Sequence, residues 1–524
     1  MSLPVDKALR KAQNHIKAGD LAEAEELYKQ VLLKFPKNRK AIQGYQKLKA
    51  GVNSKGASRL RLPDEQFQEL DKLFNQGQFE ELLAKIKQLI GLFSKDIDLY
   101  NIQGATNAAL GKYDAAIENY KQAIKIRPDY ADAYYNMGIS LQAQGNLGEA
   151  IDSYKQAIKI KPDYPGAYYN MGYALKDKGE LDAAIDSYNH AIKIKPDFAE
   201  AYSNMGNALK DKGDLEAAID SYKQAIKIKP DYADAYSNMG NAFKDKGELD
   251  AAIDSCNHAI KIKPDYAEAY SNMGNALKDK GDLDAAVDSY KQAIKIKPDY
   301  AEAKHLLASL TGETTKAAPR EYVEDLFDQY AAKFEHSLIE NLQYQTPKII
   351  TEMIIKRHPS KALGSVLDLG CGTGLAGLEL RQFCENLDGI DLSEAMLRQA
   401  RAKDVYDKLI HGDIAEHLAE ADLDFDYFIS TDVFIYVGEL SDVFRLIKSR
   451  NRRRAKLVFS TEHAEGKDFY LEKSGRYSHS KNYIEGLCIK YGYHLSHFEK
   501  TKLRKDKGEF LTGGLYLLDF DPAE

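Results

Sequence analysis

The sequence has no long apolar run, no excess of basic charge and few cysteines, and each shortage excludes a class of protein. No stretch approaches the roughly 20 apolar residues of a membrane-crossing helix. The N-terminus has no hydrophobic segment followed by a signal-cleavage site. The four cysteines, at positions 256, 371, 384 and 488, lack CxxC or metal-ligand spacing. We therefore expect a cytoplasmic protein that binds no metal and contacts no membrane.

The charge balance argues against nucleic acid as a partner. The formal net charge is −7, so no basic field covers the protein as a whole. One basic cluster, KSRNRRRAK at 448–456, comes before a predicted strand. It should therefore lie opposite the carboxyl ends of the strands, where sheets of this kind bind ligands, and we expect a solvated loop.

The chain of 524 residues is long enough for several domains, and its first part repeats with a period of 34 residues. Prolines mark the period at positions 128, 162, 196, 230, 264 and 298. Glycines share it at 104, 138, 172, 206, 240 and 274, and again at 111, 145, 179, 213, 247 and 281. Each unit has two apolar runs at helical spacing, the first closed by glycine and the second by proline, which predicts a helical hairpin.

This pattern resembles the tetratricopeptide repeat, with tyrosine in place of the first tryptophan and the late phenylalanine of that motif. The resemblance implies an all-α superhelix over 63–300, with six regular units from about 97, after degenerate repeat-like helices over 1–62. A capping helix and linker are predicted over 301–320. Cys256 stands where other units carry tyrosine, so we expect it to be a packing residue.

Asparagines recur at one offset on the first helix of five units, namely Asn136, Asn170, Asn204, Asn238 and Asn272. The first helices of such repeats line the concave face, where a ladder of amides can pair with the backbone of an extended peptide. The ladder resembles the one inside the repeat superhelix of O-linked N-acetylglucosamine transferases. We therefore expect a protein or extended peptide partner in this groove. The alternative is that duplicated units share a surface residue by descent alone.

From residue 321 the pattern changes to helices alternating with short apolar strands, which is typical of a largely parallel sheet. The segment SVLDLGCGTGLAG at 365–377 places three glycines between a buried strand and a helix. Glycines let the backbone turn sharply and lie against a ligand. Amides at the start of the helix can meet a negative group, and Asp368 before the loop offers a carboxylate to a cation.

Polar residues stand where the next strands end. Asp391 closes the run LDGID and lies 19 residues after Gly372, where a carboxylate can accept both hydroxyls of a ribose. Asp413 follows the third apolar run. Thr431 and Asp432 follow the fourth. The ordered set predicts a ligand site at one edge of the sheet.

Over 321–524 these features resemble the class I S-adenosylmethionine-dependent methyltransferases. The resemblance implies a Rossmann-like, seven-stranded α/β domain, with S-adenosylmethionine as cofactor and S-adenosylhomocysteine as product. Asp368 would then face the amino group of the cofactor and Asp391 its ribose, while Asp413 and Ile414 would face its adenine. The resemblance places further residues at the cofactor: Gly370, Cys371, Gly372, Thr373, Gly374, Leu392, Met396 and Thr431.

Two other segments, YVEDLFDQYAAKFEHSLIENLQYQTP and SGRYSHSKNYI, resemble predicted bacterial methyltransferases that also carry tetratricopeptide repeats. The main enzymatic alternative is a nicotinamide-dependent reductase, because dehydrogenases also have a glycine loop. The GxGxG spacing and the acidic residue before the loop favour methyl transfer, since GxGxxG is the spacing that suits a pyrophosphate.

The sequence identifies the methyl acceptor less well than the cofactor. Methyl transfer depends on aligning the nucleophile with the methyl group, and it needs a base only if the nucleophile must lose a proton early. His479, Tyr436 and Asp432 are the candidate catalytic residues, and a lid or packing role is the alternative for each. Three functions stay open: a methyltransferase whose repeats recruit a protein, a small-molecule methyltransferase whose repeats serve assembly, and a non-catalytic scaffold.

Overall fold

A computed structural model describes residues 5–18, 20–51, 62–331, 334–336, 338, 342–357, 362–466, 468–506 and 509–523. The chain divides into two compact units, Met1–Lys195 and Pro196–Glu524. Among the helices of the described ranges, none has both the length and the apolar character needed to cross a bilayer.

The first unit consists of helices that pack in consecutive pairs. They are α1 (Val5–Ala18), α2 (Leu21–Lys34), α3 (Arg39–Gly51), α4 (Asp64–Asn75), α5 (Phe79–Leu92), α6 (Ile97–Ala109), α7 (Tyr113–Ile126), α8 (Ala131–Ala143), α9 (Leu147–Ile160), α10 (Pro165–Asp177) and α11 (Leu181–Ile194).

The second unit begins with the same paired pattern. Its helices are α12 (Ala199–Lys212), α13 (Leu215–Ile228), α14 (Ala233–Lys246), α15 (Leu249–Ile262), α16 (Ala267–Lys280), α17 (Leu283–Ile296) and α18 (Ala301–Thr311). Gly213 ends α12 with a φ of 98°, a left-handed conformation that glycine adopts without steric cost.

A contact between glycine and tyrosine sets the spacing within a helical pair. Gly138 of α8 faces Tyr154 of α9, and a Cβ at position 138 would lie 2.6 Å from the tyrosine ring. The ring is fully buried, and its hydroxyl donates to Oε1 of Gln142 at 2.8 Å. Gly206 and Tyr222 make the same contact in the second unit. The missing side chain therefore leaves room for a ring that fills the space between the helices.

One pair carries cysteine in place of the tyrosine. Gly240 of α14 faces the thiol of Cys256 of α15, and Cys256 is buried. Burial raises the pKa of this thiol to about 12, so it stays protonated at neutral pH. Cys256 is thus a packing residue, as its position in the repeat predicted.

An α/β part follows the last repeat helix. Its elements are α19 (Arg320–Tyr330), α20 (Phe334–His336), α21 (Thr346–Arg357), β1 (Gly364–Leu369), α22 (Leu375–Leu380), β2 (Cys384–Asp391), α23 (Glu394–Lys403), β3 (Lys408–His411), α24 (Ile414–Glu420), β4 (Tyr427–Ser430), α25 (Ser441–Arg450), β5 (Ala455–Ala464), β6 (Phe469–Leu471), β7 (Tyr477–Ser480), α26 (Lys481–Tyr491), β8 (His494–Asp506) and β9 (Glu509–Phe520).

The described strands form one sheet in the order β3-β2-β1-β4-β5-β7-β6, while β9 pairs with β5 and with β8. The strands β1 to β5 pair with one another in parallel, with Leu367 opposite Asp388 on one side and Phe428 on the other. β9 runs antiparallel to β5. The chain order reverses between β1 and β4. Parallel sheets bind ligands beyond their carboxyl ends at such a reversal, so this edge is where a site is expected.

Both faces of the sheet are covered. Leu367 and Leu369 of β1 join a cluster with residues of α25 and α26. Val366, on the opposite face of the same strand, packs in a second cluster with residues of α21 and α22. The alternation follows from the two-residue period of a strand.

These observations confirm the predicted class, an all-α repeat array followed by an α/β domain with a mostly parallel sheet. The sheet holds nine strands in the described residues rather than seven. The two extra strands, β6 and β7, come from the insertion after β5, where they pair with each other as a hairpin.

We predict that Gly138→Ala lowers the free energy of unfolding of the repeats by about 1–3 kcal/mol, because the added methyl group overlaps the Tyr154 ring. Gly148→Ala is the matched control, since position 148 lies in the next helix with open space around it. It should stabilise the repeats by about 0.5–1 kcal/mol. Urea unfolding followed by circular dichroism measures both changes, and equal effects would contradict the proposed packing.

Candidate functional site

The glycine loop lies between the end of β1 and the start of α22. Gly370 has a φ of 73°, and a Cβ there would stand 2.3 Å from the side chain of Val433. Gly374, with a φ of 89°, is the N-cap of α22. Larger residues would therefore strain the loop at both positions, and its backbone is open to close approach by a ligand.

Asp391 at the end of β2 holds this loop in place. One carboxylate oxygen accepts the N–H of Gly372 at 2.7 Å, and the other accepts the N–H of Ser393 at 2.9 Å. Burial nevertheless raises the pKa of Asp391 to about 6, because the two hydrogen bonds compensate only part of the lost hydration. The carboxylate is thus available for further donors, such as hydroxyl groups.

Asp368 of β1 lies fully buried beneath the loop. Its Oδ2 accepts the hydroxyl of Tyr406 at 2.7 Å, whereas its Oδ1 is buried without a hydrogen-bond partner. Burial raises the pKa of Asp368 to about 7. An unpaired carboxylate oxygen at such a depth is rare in folded proteins. Sequence reasoning missed Tyr406, which lies just before β3.

A cavity of about 560 Å³ opens where the carboxyl ends of β1 to β4 meet. The structure brings most of the predicted site residues to its lining: Gly370, Cys371, Gly372, Thr373, Asp391, Leu392, Met396, Asp413, Ile414, Thr431, Asp432 and Tyr436. Asp368 of β1 and Gly374 at the start of α22 are not among the lining residues.

Family models match both parts of the chain. A methyltransferase domain model matches residues 366–452. A TPR repeat model matches 104–145, 140–179, 172–213, 206–247 and 240–281, and two tetratricopeptide repeat models match 267–300 and 8–38. The chain is a tetratricopeptide repeat protein with a methyltransferase domain.

No curated protein sequence matches this chain. Solved structures match the repeats. A structure of MamA is 30% identical over 32% of this chain and 96% of its own, with a TM-score of 0.30. A TPR protein from Cytophaga hutchinsonii is 17% identical over 45% of this chain and 98% of its own, with a TM-score of 0.39. YrrB, described as having an unusual peptide-binding site, is 23% identical over 36% and 97%, with a TM-score of 0.31.

In the methyltransferase domain, Asp413 caps α24. Its Oδ1 accepts the N–H groups of Ala415 at 2.8 Å and of Glu416 at 3.0 Å. The cap leaves the start of the helix, including Ile414, facing the cavity. This corner of the cavity therefore combines polar and apolar groups.

Asp432 is held by an ion pair that sequence reasoning missed. It has a φ of 57°, unusual outside glycine, and its carboxylate accepts the hydroxyl of Ser460 at 2.7 Å. The guanidinium of Arg504 donates to the same carboxylate and, at 2.6 Å, to Glu462. Glu462 also accepts Nε–H of Arg476 at 2.7 Å. No local pattern predicts the contact of Asp432 with Arg504, since the two lie 72 residues apart.

His479 lies outside the residues that line the cavity. It is fully buried in β7, and its Nε2 lies 3.0 Å from the carbonyl oxygen of Val437 and 2.9 Å from that of Gly438. Burial lowers the pKa of His479 to about 4, so the ring is neutral and donates to one of these carbonyls. Its geometry is that of a packing residue and does not support the predicted role as a base.

Helix α19 and the short helix α20 cover the cavity. Asp328 accepts the hydroxyl of Ser393 at 2.5 Å. Lys403 donates to Glu335 at 2.5 Å and to the carbonyl oxygen of Thr373 at 2.7 Å. These bonds connect the cover to α23 and to the glycine loop.

The last repeat helix, α18, contacts the insertion of the methyltransferase domain. His305 is buried, and its Nε2 lies 2.8 Å from the carbonyl oxygen of Gly475 in the β6–β7 hairpin. The hydroxyls of Thr315 and Tyr477 lie 2.5 Å apart. Arg476, between Gly475 and Tyr477, borders the cavity. The end of the repeat array therefore supports one wall of the site.

The five asparagines of the ladder are half-buried on the first helices of their units. Asn136 donates to Asn101 at 3.0 Å, and Asn170 donates to the hydroxyl of Tyr135 at 3.1 Å. In the second unit, Asn272 donates to Ser237 at 3.0 Å. These bonds join neighbouring repeats, and the peptide-binding role of the ladder stays a prediction.

We predict that the ligand-free domain loses stability as pH rises from about 4 to about 7, because folding raises the pKa of Asp368 and disfavours its charged form. Asp368→Asn should flatten this dependence. Tyr406→Phe should steepen it, since the tyrosine hydroxyl stabilises the carboxylate and lowers its pKa. Melting temperatures between about pH 5 and pH 8 measure both effects. Parallel curves for the three proteins would contradict the assignment.

Proposed function

We propose that this protein is an S-adenosylmethionine-dependent methyltransferase. The observation that carries the proposal is the buried Oδ1 of Asp368, which has no hydrogen-bond partner, beside the glycine loop. The amino group of the cofactor would supply the missing donor, and its ribose hydroxyls would donate to Asp391. The match of residues 366–452 to a methyltransferase domain supports the proposal.

The other predicted cofactor residues fit the remaining parts of that molecule. Asp413 and Ile414 would meet the adenine, with Leu392 and the buried Met396 packed beside it. The loop from Gly370 to Gly374, including Cys371 and Thr373, would present its backbone to the methionine part. Thr373 has a buried hydroxyl without a partner, which suits a polar group of the ligand. Thr431 lies across the cavity at the end of β4.

The chain contributes exclusion of water and alignment to the reaction. When bound, S-adenosylmethionine supplies a methyl group on a sulfonium centre. Phe327 of α19 contacts both Phe334 and Tyr436, with ring centroids 5.9 Å and 5.2 Å apart, and these rings shield the cavity. Burial raises the pKa of Tyr436, so its hydroxyl stays protonated and can donate to the acceptor. Asp432, fixed by Ser460 and Arg504, can orient an acceptor at the end of β4.

We predict that Asp391→Asn weakens binding of S-adenosylhomocysteine by about 10- to 100-fold, since one hydrogen bond to a charged group is worth about 1.5–3 kcal/mol. Calorimetric titration of the full chain measures the affinity. Asp388→Asn is the matched control, because Asp388 lies on the same strand away from the cavity. Binding of NADH in place of both S-adenosyl compounds would contradict the proposal and support a nicotinamide-dependent reductase.

We also propose that the repeats bind an extended peptide, either a partner or the methyl acceptor itself. The repeated asparagines within each unit support this. In the second unit, the nitrogen of Asn272 donates to Ser237, and its carbonyl oxygen can accept from a ligand. We place the protein in the cytoplasm, which its four free cysteines support.

A peptide selected from a random library on the full chain should bind more weakly when Asn238 and Asn272 are both changed to alanine. We expect a loss of about 10-fold or more, because each lost hydrogen bond costs about 0.5–1.5 kcal/mol. Gln224→Ala with Gln292→Ala is the control pair, exposed on the second helices. If both pairs have the same effect, measured by fluorescence anisotropy, the ladder does not bind the peptide.

A further inference from the structure

The cavity has two halves that differ in charge. Asp391 and Asp413 lie at the ends of β2 and β3, whereas Arg476 and Arg504 lie beyond β4 together with Asp432, which pairs with Arg504. The glycine loop at the end of β1 separates the two halves in the sheet order. A cofactor held by Asp391 and Asp413 would therefore leave the guanidinium-lined half for the methyl acceptor.

The side chains of the two arginines differ in their exposed fraction. The side chain of Arg504 is 7% exposed and pairs with both Asp432 and Glu462. The side chain of Arg476 is 23% exposed. Glu462 lies behind the lining and faces both guanidinium groups. Arg476, whose Nε–H donates to Glu462, is thus the more exposed of these two cations. A planar guanidinium can match a carboxylate in two parallel hydrogen bonds.

Apolar and aromatic side chains surround this cation. Tyr322, Val323, Phe327 and Tyr436 line the cavity. Tyr322, Val323 and Tyr436 pack against the β6–β7 hairpin that carries Arg476. We propose that the methyl acceptor carries a carboxylate on an apolar or aromatic body, and that Arg476 binds this carboxylate. The inference rests on S-adenosylmethionine being the methyl donor.

The backbone around Arg476 is fixed from two sides. Within the hairpin, Glu472 donates its N–H to the carbonyl oxygen of Arg476 at 2.8 Å, and Gly475 donates to Glu472 at 2.9 Å. His305 of α18, which is not part of the hairpin, donates to the carbonyl oxygen of Gly475. Burial lowers the pKa of His305, which keeps its ring neutral. His305 is therefore a positioning residue for Arg476, supplied by the repeat array.

Carboxylate probes test the proposal on the full chain. Benzoate and succinate are titrated against their neutral counterparts benzamide and succinamide, with and without saturating S-adenosylhomocysteine. We expect at least one carboxylate to bind about 10-fold more tightly than its amide, and Arg476→Gln to remove the difference. Arg320→Gln is the control, since Arg320 also lines the cavity but pairs with Glu416 at the surface. It should leave the preference within about twofold.

Each outcome decides a separate point. Equal affinity for acids and amides, an unchanged preference in Arg476→Gln, or tighter binding of phenyl phosphate than of benzoate would overturn the carboxylate inference. Absence of S-adenosylhomocysteine binding would contradict the proposed function alone, because the titrations without that compound still measure the anion preference. The affinity of Arg476→Gln for S-adenosylhomocysteine should stay within about twofold of the unmodified chain, which shows that its cofactor half is intact.

The positioning role of His305 has its own test. His305→Phe keeps a ring but removes the donor to Gly475, and we expect about 3- to 10-fold weaker binding of the preferred carboxylate. His305→Gln places an amide donor near the position of the ring nitrogen and should restore the affinity. A merely structural role predicts that glutamine, which fills the site less well than phenylalanine, is the worse substitution, and that result would contradict the positioning.

Discussion

The carboxylate of Asp391 connects the two elements on which the site depends. It fixes the glycine loop through the N–H of Gly372 and the start of α23 through the N–H of Ser393. The same helix then holds the cover, because Ser393 also donates to Asp328 of α19. The sheet edge, the loop and the cover are thus organised around one buried acid. Burial raises the pKa of this acid although two backbone N–H groups donate to it.

The sequence predicted those parts of the fold that depend on local pattern. The period of 34 residues predicts the helical pairs because glycine, tyrosine and proline act within a single unit. The strand-end acids could be found because parallel strands bring their carboxyl ends to one edge. The sequence left a packing role open for His479, since no local pattern distinguishes a buried strand histidine from a base. Tyr406 and Arg504 were missed, because their contacts join elements that are distant in sequence.

The last repeat helix, α18, contacts the hairpin that borders the cavity of the methyltransferase domain. This contact limits where the chain can be cut into separate domains. Leu306 and His305 of α18 pack beside Gly475 of the hairpin. Residues after α18 continue the contact, since Ala318 donates to the carbonyl oxygen of Tyr436 at 3.0 Å and Lys316 pairs with Glu439. The segment expected to be a linker therefore belongs to the catalytic domain in its contacts. A domain cut at residue 321 would lose the contacts of His305, Lys316 and Ala318 with its own site.

Cys256 makes one unit of the repeat array differ from the others in its packing. In a stack of nearly identical units, the stability of each unit depends on its own contacts and on those with its neighbours. A weaker contact in one unit therefore lowers stability locally. The small thiol fills less of the space facing Gly240 than the tyrosine ring does elsewhere. The helical pair α14–α15 is therefore expected to open more readily under force or heat than the regular pairs that carry tyrosine. A single substitution thus makes one of the regular units less stable, although all of them share the same period.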